Sequence, residues 1–290
     1  MGNLLTSAMS RIGQIIAAYS FVVLMVTQAN AQAKGKLFII GGGDRTTGLM
    51  QCMVQAAGMQ DKDYVAVLPM SSAEPDTAFH YFTEDLKQVY KGKILQLHFS
   101  NADTANQEKL QQLLQAKLIF ITGGDQERFM RVVANTQIER AIQQAYAKGA
   151  MIAGTSAGAA VMSEHMITGN ELTDTVYRPT FRKVWHNNIE LSRGLGLIRS
   201  AIIDQHFIVR SRYNRLFSAI AKYPNLLGIG IDEATAILVE GNTATVCGES
   251  QVVVMRDIRG LNTTNPKRVY WDSMQLSFFV AGQSFSLRTP

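Results

Sequence analysis

A chain of 290 residues is long enough for one large α/β domain or two small ones, with ample core. Its 47% hydrophobic and 18% charged residues exclude intrinsic disorder, and its 6 prolines and 23 glycines exclude collagen-like or proline-rich architecture. Lys+Arg 28 against Asp+Glu 23 leaves +5 without the dense basic block of a nucleic-acid binder, and Cys 2 rules out a multi-bridge scaffold or a Cys-based zinc site.

The first 31 residues read as a secretory signal peptide. Arg11 is the only charge before the apolar run Ile15–Val26, and small residues follow in the pattern Ala29-Asn30-Ala31, with Ala31-Gln32-Ala33 as a second cleavage option. The run is shorter than the ~20 residues a spanning helix needs, so the expectation is a protein that is secreted or periplasmic and free of membrane after cleavage near Ala31 or Ala33. Export permits a disulfide between Cys52 and Cys247, but with no spatial information the expectation is two buried thiols.

From residue 36 onward strands alternate with helices. Lys36–Gly43 is an apolar strand closed by three glycines, Thr47–Ala57 has helical spacing, and Tyr64–Met70 is the next strand. Asp76–Tyr90 is amphipathic with Asp76 as its N-cap, Lys93–His98 is a strand, and Gln107–Ala116 a helix. Lys117–Thr122 runs into Gly123-Gly124-Asp125-Gln126, helices follow near Arg128–Ala134 and Ile138–Lys148, and Ala150–Ala153 leads into Gly154-Thr155-Ser156-Ala157-Gly158. The fold class is α/β: a mostly parallel sheet with helices on both faces, whose ligands bind beyond the carboxyl ends of the strands. Leu227–Ile231, Ala236–Val239, Thr243–Val246, Gln251–Met255 and Gln275–Val280 read as antiparallel strands completing the same domain, residues 32–290.

The segment 154–158 fits G-x-S-x-G, the nucleophile elbow. A nucleophilic serine must stand on a sharp strand-to-helix turn, and small residues on either side let the chains approach. The following helix, Ala157 to Ser163, aims its N-terminal N–H groups at developing negative charge, so Ala157 N–H is one oxyanion donor and Gly124, after a neighbouring strand, the second. Of the five histidines, His80 and His98 read as ordinary helix and strand residues. His165 belongs on the helix of Ser156, facing away, and His186 sits in a polar loop. His206 follows the apolar run Ser200–Ile203 on the same rim as Ser156 and is chosen as the base. An orienting carboxylate comes from Asp232 or Glu233 at the end of Gly228–Asp232; strand alternation does not decide between them. The order Ser, His, acid differs from the Ser, acid, His order of α/β-hydrolases.

FIIGGGD (38–44), FITGGDQ (120–126), GTSAGAAVM (154–162), GLGLIRSAIIDQHFIVRSRYNRL (194–216) and GIGIDEATA (228–236) together resemble the cyanophycinases, peptidase E-like serine peptidases whose fold is related to class I glutamine amidotransferases. The tail after Ile258 carries no matching motif. The resemblance implies Ser156 as nucleophile, His206 as base and Glu233 as acid. It also implies release of β-Asp-Arg dipeptides from cyanophycin, a poly-aspartate carrying arginine through isopeptide bonds, by a homodimer that needs no cofactor or metal. Each unit of that polymer bears a carboxylate and a guanidinium. Arg210, Arg212 and Arg215, just past the base, suit the carboxylate; Asp204, Gln205 and Gln126 are candidates for the guanidinium. The alternatives are a dipeptidase acting on aspartyl peptides and a non-catalytic periplasmic binding protein. An amidotransferase is disfavoured because serine replaces the thiol.

Overall fold

The computed structural model describes residues 35–173, 175, 184–264 and 268–288. The expected signal peptide lies outside the described residues; among those described, no helix is long and apolar enough to cross a membrane.

In chain order the elements are β1 (Leu37–Ile40), α1 (Thr47–Ala57), β2 (Tyr64–Leu68), α2 (Pro75–Lys87), β3 (Lys93–Gln96), α3 (Gln107–Gln115), β4 (Leu118–Ile121), α4 (Gln126–Val133), α5 (Gln137–Ala147), β5 (Met151–Thr155), α6 (Ala157–Ala160), β6 (His165–Glu171), β7 (Ile189–Arg193), β8 (Ala201–Gln205), α7 (Tyr213–Lys222), β9 (Leu227–Ile231), β10 (Thr235–Glu240), β11 (Thr243–Gly248), β12 (Val252–Arg259), β13 (Asn262–Thr263), β14 (Val269–Tyr270), β15 (Ser273–Phe279) and β16 (Ser284–Ser286). Eight strands form one sheet in the order β16-β11-β10-β1-β5-β4-β2-β3. β1, β5, β4, β2 and β3 run parallel, and β10, β11 and β16 extend the β1 side antiparallel.

Both faces of the parallel part are covered, which is why its strands read as unbroken apolar runs. Successive side chains point to opposite faces. Leu37 and Ile39, with Ile119 and Ile121, enter the core shared with α3, α4 and α5. Phe38 and Ile40, with Leu118 and Phe120, enter the core under α1 and α2. Helix α2 starts at Pro75, whose fixed φ suits the first helical position; Glu74 is the cap residue, and Asp76, expected there, instead accepts from Gln96 Nε2 at 2.7 Å.

A second sheet, β15-β12-β9-β8, departs from expectation: β9 pairs parallel with β8 and antiparallel with β12, and does not join the first sheet. Ile203, Ile229, Val252 and Val254 pack inward on the core of the first sheet, while Ile202, Val253 and Met255 face the side covered by α7. The two sheets therefore share one core, and the carboxyl ends of β8 and β9 lie against the glycine turn after β1, where His206 N–H donates to Gly41 O.

The cysteines correct another expectation. Cys52 on α1 and Cys247 on β11 form a disulfide across 195 residues of sequence, with Cα atoms 6.7 Å apart. Helix α1 packs on the β10–β11 hairpin, and both cysteines border the same apolar cluster. No local sequence spacing reports that proximity.

Candidate active site

Four strand ends converge: Gly41 after β1, Ser156 after β5, His206 after β8 and Glu233 after β9. Ser156 has φ 52° and ψ −109°, a conformation that costs a non-glycine residue on the order of 1–3 kcal/mol and must be imposed by its surroundings. The imposition is steric. A Cβ on Gly154 would lie 2.5 Å from Gly158 O, and one on Gly158 would lie 2.2 Å from Ile121 O. Only two glycines allow β5 to turn this tightly into α6. Ser156 sits at the N-cap without making a side-chain cap bond, so its hydroxyl projects free of its own helix. That helix is shorter than expected: Gly194-Leu195-Gly196-Leu197 draws the chain away, with Leu195 N–H donating to Val161 O at 2.7 Å and Leu197 N–H to Met162 O at 3.0 Å. His165 consequently begins β6 rather than continuing a helix.

His206 links the other two groups. Its Nε2 lies 2.9 Å from Ser156 Oγ and its Nδ1 2.5 Å from Glu233 Oε1. With Nδ1–H donated to the carboxylate, Nε2 is the acceptor for the serine hydroxyl. Burial pushes the His206 pKa below its ordinary value; the hydrogen bond to Glu233 opposes this, and the charges of Arg210 and Arg212 reinforce it. A neutral, proton-accepting imidazole is thus retained below pH 6.5. The acid limb of kcat/KM is expected below that value; a limb at or above it contradicts the environment described. The stability sign agrees. The unfolded chain binds the proton first, so this histidine's contribution is complete above its unfolded pKa and is lost as pH falls between the unfolded and folded values.

The turn Gly41-Gly42-Gly43 holds all three loops in register. His206 N–H donates to Gly41 O at 2.8 Å, Ala234 N–H to Gly42 O at 2.9 Å, and Ser156 N–H to Ile40 O at 3.1 Å. Gly42, at φ +117°, lies under the imidazole: a Cβ there would come within 2.2 Å of Cε1 and 2.5 Å of Nε2. Gly43 lies against Glu233, whose Cβ would be 2.6 Å from an added Cβ. Sequence reading treats this triplet as a turn and misses its part in the site.

The model of peptidase family S51 matches residues 37–247, from the start of β1 to the penultimate residue of β11. The chain belongs to peptidase family S51. It is 33% identical over 239 residues to the cyanophycinase of Trichormus variabilis, covering 80% of this chain and 77% of the relative. To the cyanophycinase of Synechococcus elongatus it is 30% identical over 277 residues, covering 91% and 82%. A solved peptidase from an acI-B1 Actinobacterium shares the fold with a TM-score of 0.62 at 22% identity, covering 88% of this chain and 98% of that one.

Within this S51 peptidase the remaining expected site residues divide. Asp232 accepts from Ile208 N–H and Val209 N–H, both at 3.0 Å, and from Ser250 Oγ at 2.7 Å. It braces the turn after His206, while Glu233 faces the ring. Asp204 is 0% exposed; it accepts from Arg215 Nε at 2.7 Å and its own neighbour Gln205 N–H at 2.8 Å. Arg212 Nη1 donates to Gln205 O at 2.7 Å. Asp204, Arg212 and Arg215 thus form one ion-pair cluster: a fully buried carboxylate requires pairing, and these arginines supply it. Gln126 is likewise internal, its Nε2 donating to Ile167 O at 2.9 Å and to Thr168 O. Gln205 is buried at the end of β8. Arg210 differs, being half exposed with Nη2 3.8 Å from Glu233 Oε1.

Ser156 and His206 open into a pocket of about 260 Å³ whose walls include Gly42, Arg45, Tyr81 and Gly123. The glycine facing the serine is Gly123, where an added Cβ would sit 3.6 Å from Ser156 Cβ. Gly124, expected as the oxyanion donor, has φ +136° and packs under Ser71, whose carbonyl lies 2.2 Å from the position of a Cβ. Ala157 is buried at the first position of α6, where helices leave N–H groups without intrahelical partners.

Proposed function

We propose that this S51 peptidase degrades cyanophycin to β-Asp-Arg dipeptides by acyl transfer through Ser156, without cofactor or metal. The observation that carries this reading is the unbroken sequence of contacts from Ser156 Oγ through His206 to Glu233 at the mouth of a pocket. The naming of relatives at 30–33% identity supports the polymer as substrate. A dipeptide that keeps its isopeptide bond requires attack on the main-chain carbonyl. His206 Nε2 takes the Ser156 proton as Oγ bonds to that carbon, and the C–N bond then breaks as the imidazolium protonates the leaving amine. Water, deprotonated by the same nitrogen, hydrolyses the ester and restores the serine. Ala157 N–H and an N–H from the Gly123-Gly124 turn hold the oxyanion, each such donor being worth ~2.7–4 kcal/mol in the transition state. Glu233 stabilises the imidazolium and fixes its tautomer.

The N-terminal pattern and the Cys52–Cys247 bridge both support export, since disulfides persist in oxidising compartments. Incubating the purified protein with cyanophycin and separately with Asp-X dipeptides, with products weighed by mass spectrometry, tests the proposal. Release of the β-Asp-Arg mass from polymer is expected. Turnover of the dipeptides alone assigns the enzyme to aspartyl dipeptides instead.

A further inference from the structure

The pocket at Ser156 does not end there. Gly43, Arg45 and Tyr81 also line an adjoining lobe of about 380 Å³, to which Asp44 and Asp85 contribute. Arg45 is committed to Asp85, with Nε 2.7 Å and Nη2 2.6 Å from Oδ2, and this pair is mostly covered. The positive charge in the lobe is thereby neutralised, leaving the exposed carboxylate of Asp44 to set a net charge of about −1 by formal count. Tyr81 is an aromatic side chain left 61% exposed at the seam of the two cavities. An exposed aromatic ring lining the same lobe as a carboxylate suits a planar, weakly hydrated cation.

We infer that this lobe is the subsite for a guanidinium side chain of the substrate, with the Tyr81 ring as its platform and Asp44 as its charge partner. The inference rests on the proposed function for the identity of the substrate, and it puts guanidinium recognition on the β1–α1 turn and α2 rather than on Asp204, Gln205 or Gln126. Asp85 acts by holding Arg45 away from the incoming cation. Recognition by ring and charge predicts discrimination between guanidinium and an uncharged ureido group of the same shape.

Calorimetric titration of full-length Ser156→Ala protein, which leaves the ligand intact, tests this directly. The probes are a short β-Asp-Arg peptide and the same peptide with citrulline in place of arginine. The arginine peptide is expected to bind at least ~5-fold more tightly than the citrulline peptide, a ratio that collapses in Asp44→Asn and in Tyr81→Ala and is retained in Tyr81→Phe. Equal affinity for both peptides, or a ratio unchanged by Asp44→Asn, overturns the inference. Asp44 is exposed, so this arm stands even if Tyr81→Ala folds poorly. Cyanophycin hydrolysis by the unmodified enzyme is measured alongside. Charge discrimination without hydrolysis refutes the proposed substrate alone, and hydrolysis without discrimination refutes the lobe alone.

Discussion

Ser156→Ala is expected to lower cyanophycin hydrolysis by about 10⁴- to 10⁶-fold while the protein stays folded. On the proposed mechanism the rate effect follows from covalency: with no oxygen at this position, neither the attack nor the ester can form, and only oxyanion stabilisation and binding remain. The fold is expected to survive because the backbone, not the hydroxyl, holds the elbow. Ser156 N–H is bonded to Ile40 O, the carbonyl of Ser156 accepts from Ala159 and Ala160 N–H at 3.0 Å, and alanine brings the same Cβ to φ 52°. The hydroxyl meets only His206 among the described side-chain bonds. Hydrolysis rate and melting temperature measured on one preparation check both halves. Activity within tenfold of wild type removes Ser156 as nucleophile, whereas a collapse in melting temperature shows that the hydroxyl supports the fold.

The parts of this site that were legible in the sequence are those encoded locally. Buried parallel strands demand apolar residues on both faces, so β1, β2 and β4 stand out as runs, and the glycines after them mark the sheet's carboxyl rim. Gly154 and Gly158 announce the elbow because a Cβ at either position would lie 2.2–2.5 Å from a neighbouring carbonyl oxygen. What escaped is set by tertiary contact. Cys52 and Cys247 are 195 residues apart, and nothing between them reports that α1 lies on β11. Period-2 alternation left Asp232 and Glu233 equivalent; they separate because Asp232 is bound by two backbone N–H groups of the turn after His206. Charge composition also leaves two readings open. Three arginines within six residues beside a base resemble an anion site, yet Arg215 and Arg212 lie against a carboxylate with no exposure, leaving Arg210 at the rim. A buried ion pair and a substrate clamp have the same composition, and only coordinates show that the Asp204 carboxylate is closed off from solvent.

Gly42→Ala is expected to cost about 10²-fold or more in kcat/KM, although residue 42 has no functional group. Two effects coincide. An L-residue at φ +117° is strained, and the new methyl would stand 2.2 Å from Cε1, 2.5 Å from Nε2 and 2.8 Å from Nδ1 of His206. The ring cannot retreat with its backbone, because His206 N–H is tied to Gly41 O and Phe207 N–H to Ile231 O at 3.2 Å. Relief must come from rotating the imidazole, which breaks the 2.9 Å contact to Ser156 or the 2.5 Å contact to Glu233. Gly48→Ala is the matched control: it lies in α1, a Cβ there meets nothing within 4 Å, and alanine is favoured over glycine inside a helix by ~1 kcal/mol. That variant should keep full activity and melt no lower than wild type. Should Gly42→Ala hydrolyse the polymer as fast as Gly48→Ala, the imidazole does not rest on this turn, and the contacts linking Ser156 to Glu233 lose their support.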